Sequence, residues 1–177
     1  MNEIAMGNLL ALFSIIMIIV NYVFTALTMF KVSKKEETSK AFFAWIPILN
    51  DYLLIKLGHG AIGFFGLALA SLILGNPMMT DYLNSNIVGK LGTAVTVLWT
   101  VYKIILYNRI CDRYNASVII IAAGFLMQFI SKLSIAGIVV SVVGQIILMI
   151  KVNNNIAPKT IIESKIVLSK LHRKEEK

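Results

Sequence analysis

From Gly7 to Phe30 the chain runs 24 residues without a single Lys, Arg, Asp or Glu. At a rise of about 1.5 Å per residue that run reaches across a hydrocarbon core of about 30 Å, and in lipid only a helix or a closed barrel satisfies its own backbone. Residues 1–6 carry Glu3 and no Lys or Arg. The run is longer than the apolar stretch of a secretory signal and ends in no small-x-small site, so it is expected to stay as an anchor. Further apolar runs follow at His59–Gly75, Ile87–Tyr107 and Ala116–Ile150. The last is too long for one crossing and divides at Ser131-Lys132-Leu133-Ser134. The chain is therefore expected to be all-α, a polytopic helix bundle over residues 1–150. Its five spans are expected at about 7–30, 57–75, 87–107, 117–131 and 136–150, followed by a basic cytoplasmic tail over 151–177.

Composition agrees. The chain is 58% apolar and 15% charged over 177 residues, against roughly half and about a quarter in soluble domains. A net charge of +8 raises nucleic acid as a partner. Nucleic-acid binding needs basic side chains gathered on one folded face, whereas here they sit between apolar runs, where they set orientation. With the N-terminus outside, only Lys90 and Lys132 fall outside, which leaves 15 of the 17 Lys and Arg at the inner face. A bacterial cytoplasmic membrane, a cytoplasmic C-terminus and no nucleic-acid partner are the expectations. The single Cys111 excludes an intramolecular disulfide and a cysteine metal cluster, and no cofactor is expected.

Polar residues recur inside the runs. Ala11, Ser14, Ile18, Asn21, Thr25 and Thr28 share one face of the first span, and Gly89, Thr93, Thr96, Thr100, Lys103 and Tyr107 share one face of the third. Gly60, Gly63 and Gly66 in the second span, and Gly137, Ser141 and Gly144 in the last, are sites for close helix contact. The expected polar interior of the bundle is Asn21, Thr25, Thr96, Thr100, Lys103, Gln128 and Gln145. Lys103 lies one turn from the inner end of its span and is expected to snorkel to the headgroups. Asn76–Asn86, with Pro77 and Asp81, is a turn, Asn108–Asn115 a polar connection, and Thr160-x-x-Glu163 a capping box in the tail.

Between the first and second spans lies Ala41–Gly58, too polar for mid-bilayer and too apolar for a free loop. Pro47 removes a donor and disfavours helix at Ile46, so the backbone must bend or restart there. Trp45 and Tyr52 suit the headgroup layer, and Lys56 can snorkel. With Pro47 and Asn50 these residues form an expected interfacial segment. The run Ile46-Pro47-Ile48-Leu49-Asn50-Asp51-Tyr52-Leu53-Leu54-Ile55-Lys56 resembles the Ile-Pro-x-x-Asn-x-Tyr-x-Leu-x-Lys motif of a family of small bacterial integral membrane proteins. That family is a domain of unknown function sometimes found beside signal peptidase I. The resemblance implies the membrane architecture and no catalytic residue.

Enzyme chemistry has little to stand on: there is no HExxH, GxSxG or GxGD and no paired intramembrane carboxylate. Cys111 and His59, both expected near the inner interface, are the thiol and base a membrane thiol enzyme would use. Asp112-Arg113-Tyr114 is similar to a tripeptide at the same place in seven-helix receptors, a fold that five spans cannot make. The expected role is an accessory, assembly or immunity-type interaction subunit, with lipid, a homo-oligomer or another membrane protein as partner and anionic lipid at the basic tail. A small-solute transporter or channel component that uses the two polar stripes is the alternative.

Overall fold

A computed structural model describes residues 3–38, 40–75 and 86–154, and within them the chain is helical throughout. Helix α1 spans Glu3–Lys35, α2 Pro47–Leu57, α3 Phe65–Leu74, α4 Asn86–Arg113, α5 Ile119–Met127 and α6 Ser134–Asn154. Short 3₁₀ turns lie at Ala41–Trp45, Ile62–Phe64 and Ser131–Leu133. The expected turn at Asn76–Asn86 lies, but for Asn86, outside the described residues, as do the tail from residue 155 and its capping box.

Among the described residues three helices are long and apolar enough to cross a bilayer: Ala11–Lys35, Ile87–Arg113 and Ser134–Asn154. Their outward faces carry large apolar side chains with no protein cover, among them Leu12, Ile15, Ile19, Leu98, Val101 and Val143. Lipid suits such a surface and water does not, so the chain is a membrane protein. The second and fourth of the expected spans are short helices. With 10 and nine residues, α3 and α5 rise only about 15 Å and 14 Å, half of a hydrocarbon core.

The direction of each helix follows from its contacts. Ser141 donates to Asn21 Oδ1 and Gln145 donates to Thr25 Oγ1, both at 2.8 Å. Four residues onward in one helix thus match four onward in the other, so α1 and α6 run parallel. The C-terminal end of α4 joins that of α1 through Arg113 and Glu36. The intervening segments run back: α3 is antiparallel to α4, with Ser71 on Thr96 and Phe64 stacked on Tyr102. Likewise α5 is antiparallel to α6, with Ile121, Gly124 and Gln128 against Gly144, Ser141 and Gly137.

Glycine makes the closest approach possible. A Cβ on Gly124 would strike the backbone of Ser141, and one on Gly92 the carbonyl of Leu74. Gly60, Gly137 and Gly144 work as the sequence leads one to expect, but Gly63 and Gly66 have nothing within 4 Å. Gly58 and Gly75 are crowded as well.

Three helices end alike. Past α1, α2 and α4 the left-handed residue is Glu37 (φ 54°), His59 (φ 50°) and Asn115 (φ 53°). In each case the next amide bonds back five residues: Thr38 to Ser33, Gly60 to Ile55, Ala116 to Cys111. None of the three is glycine, which costs each position on the order of 1 kcal/mol.

The Ala41–Gly58 segment departs from its expected place. Ile46 is extended at φ −107°, ψ 117°, and α2 restarts at Pro47, as the proline requires. Leu53, Leu54, Ile55 and Leu57 are at most 2% exposed, so α2 wedges among α1, α3 and α4 and does not lie flat on a surface. Asn50 donates to Ala44 O at 2.7 Å and locks the 3₁₀ turn onto α2. Trp45 leans on Phe30, Tyr52 sits between Phe43 and Phe65, and Lys56 remains exposed.

Candidate functional site

The wedge position of α2 brings its buried polar face against the polar stripes. A cavity of about 330 Å³ lies between α1, α2, α4 and the end of α5. It is lined by Asn21, Thr25, Asn50, Asp51, Leu54, Thr96, Thr100, Lys103, Tyr107, Phe125, Gln128 and Phe129. At about 30 Å³ per water, the volume would hold roughly ten water molecules. Of the seven polar residues expected to line the bundle interior, six meet here. The seventh, Gln145, stands behind the wall, fully buried and bonded to Thr25. The outer part of the first stripe has no such use, because Ala11 and Ile18 are exposed.

Lys103 corrects its expected direction. Helix α4 continues to Arg113, six residues past the expected end of the span. The inner end is therefore nearly three turns from Lys103, beyond easy reach for snorkelling. Its ammonium stays in the bundle, 5.8 Å from the Trp99 ring centroid and 5.3 Å from that of Phe125, as a cation favours aromatic faces. The Asn108–Asn115 connection is accordingly mostly helix.

Asp51 shares the cavity and is the residue that sequence alone did not single out. It sits inside the Ile46–Lys56 motif, yet its neighbours there gave no sign that it faces a lysine some fifty residues away. The two do not close into an ion pair.

The remaining wall is fixed by local bonds. Thr25, Thr96 and Thr100 donate to the carbonyls of Asn21, Gly92 and Thr96 in their own helices. Thr25 Oγ1 in turn accepts from Gln145 and Thr96 Oγ1 from Ser71, while the Thr100 oxygen is able to accept. Gln128 donates to Gly124 O at 3.2 Å, just where α5 breaks off. The cavity thus offers one anion, one cation and a ring of neutral polar groups, with Leu54, Phe125 and Phe129 as its apolar wall.

A second charged cluster closes the end of the bundle. Arg113 lies 2.9 Å from Glu36, donates to Leu57 O, and is 8% exposed. Tyr114 donates to the same carboxylate at 3.3 Å, and burial beside Glu36 raises its phenol. Arg109 donates to the carbonyls of Gly58 and His59. These two arginines satisfy the last carbonyls of α2. Cys111 is fully buried in the apolar core, while His59 is exposed, so the thiol and the base do not form a site. Among the described residues no three His, Cys, Asp or Glu side chains gather to hold a metal. Compared with protein-family models, curated proteins and solved structures, the chain matches none.

Proposed function

We propose that this protein binds a small polar solute within the membrane and acts as a transporter or channel component. The cavity between α1, α2, α4 and α5 carries the proposal. Charged groups at membrane depth are costly and mark solute or ion paths. Irregular backbone is tolerated at that depth only where protein covers it or where it lines a water-filled cavity. Both features coincide here: Lys103 and Asp51 face the space, and α5 breaks at Met127 just before Gln128 and Phe129 enter the wall. Discontinuous helices beside a central site are a recurrent transporter design.

The parallel course of α1, α4 and α6, with α3 and α5 returning between them, supports five passes in which the two returns are short helices extended by turns. The distribution of Lys and Arg supports an outer N-terminus and an inner C-terminus in a bacterial cytoplasmic membrane.

Reconstituted liposomes test the proposal. A panel of small polar solutes should show flux above empty vesicles for at least one member, and Lys103→Met should abolish it while the protein remains folded and monodisperse. Absent flux across the panel, or flux that Lys103→Met leaves unaltered, would overturn it.

A further inference from the structure

The cavity's charges define the class of solute. Asp51 and Lys103 line one space without meeting, and among the described residues no other charged side chain lines it. A cation alone would be drawn by Asp51 and repelled by Lys103, and an anion alone the reverse. A neutral solute would leave both charges uncompensated where hydration is poor, which is the costly arrangement. A solute carrying both signs compensates the two at once.

We infer that the cavity takes a small zwitterion, an amino acid whose ammonium meets Asp51 and whose carboxylate meets Lys103. This rests on the solute-binding role proposed above. The neutral groups fit the same partner. Thr100 and the side-chain carbonyl of Asn50 are placed to accept hydrogen bonds from the ammonium, since the hydroxyl proton of Thr100 is committed to Thr96 O and the amide of Asn50 to Ala44. The ammonium of Lys103, held over Trp99 and Phe125 and not buried in an ion pair, keeps its donors for a carboxylate. Leu54, Phe125 and Phe129 form the wall for a side chain that is small and apolar. A volume of about 330 Å³ accommodates glycine, alanine or valine with water beside it, and a third charge on the side chain would find no partner.

Binding to the full chain in nanodiscs, measured by calorimetry, tests this with glycine, L-alanine and L-valine as probes. L-alaninamide, which lacks the carboxylate, and N-acetyl-L-alanine, which lacks the ammonium, complete the set. The wild-type protein should bind at least one of the three amino acids, and L-alanine roughly thirtyfold or more tightly than either masked analogue. Asp51→Asn should erase the preference over N-acetyl-L-alanine, and Lys103→Met the preference over L-alaninamide. The wild-type comparison stands even if a variant fails to fold. Equal binding of a masked analogue overturns the inference. So does binding of a different solute class with none of the amino acids, which would leave the solute-binding role standing. If no solute of any class binds, both fall.

Discussion

Arg113 and Lys103 both stand on α4 and face a carboxylate, Glu36 just past the end of α1 and Asp51 on α2, yet the two pairs are built in opposite ways. Arg113 and Glu36 touch at 2.9 Å, and Tyr114 and the Leu57 carbonyl add further hydrogen bonds. Such a cluster holds α1, α2 and α4 together at one end. Lys103 and Asp51 share a cavity without contact. Their fields remain available, and the fold bears the cost of keeping them apart. Within one small bundle, satisfied charge therefore marks structure and unsatisfied charge marks the site.

The largest effect that would break this contrast is in the closed cluster. Arg113→Met should cost about 3 kcal/mol in detergent unfolding, because Glu36 is left under cover without its cation. A loss under about 1 kcal/mol would place the pair with exposed surface bridges. Next comes Gly124→Ala, which would drive α5 off Ser141 and shift Gln128 and Phe129 in the cavity wall. It should cost about 1–3 kcal/mol and weaken solute binding, whereas Gly63→Ala, where nothing lies within 4 Å, should stay within about 0.5 kcal/mol.

Double-mutant cycles sharpen the comparison. Coupling between Arg113→Met and Glu36→Gln should exceed about 1 kcal/mol, and that between Lys103→Met and Asp51→Asn should fall below about 0.5 kcal/mol.

The smallest expected change is in stability on Asp51→Asn. Asp51 stands apart from Lys103 in the cavity wall, so near neutral pH Asp51→Asn should leave the melting temperature unchanged or raise it, while solute binding is lost. A melting temperature that falls by several degrees would mean that Asp51 is structural.

Much of this was legible in the chain. The three long helices follow from uncharged or nearly uncharged apolar runs, and the break at Ser131–Leu133 from the polar residues there. The stripe of Asn21 and Thr25 and that of Thr96, Thr100 and Lys103 do face a common interior, because helical period alone puts them on one side of each helix. What failed depended on contacts distant in sequence. The depth of α2 is set by its burial against Leu106 and the arginines of α4, and no period within Pro47–Leu57 encodes that. The extra turns of α4 are held by Arg109 and Arg113 bonding the end of α2, so residues that read as a polar connection continue the helix. Asp51 looked like one polar residue in an interfacial run because its counterpart is Lys103. The short returns α3 and α5 were hidden by apolar composition, which does not distinguish a helix from an apolar turn.

The most direct test is whether small hydrophilic molecules reach the cavity and are excluded from the closed end. In a Cys111→Ser background, Thr100→Cys places a thiol in the cavity wall and Ser33→Cys places one at a fully buried position near the end of α1. A small water-soluble thiol reagent should label Thr100→Cys and leave Ser33→Cys untouched, and a bound amino acid should slow the labelling. No labelling at Thr100→Cys, or equal labelling at both positions, would contradict the account.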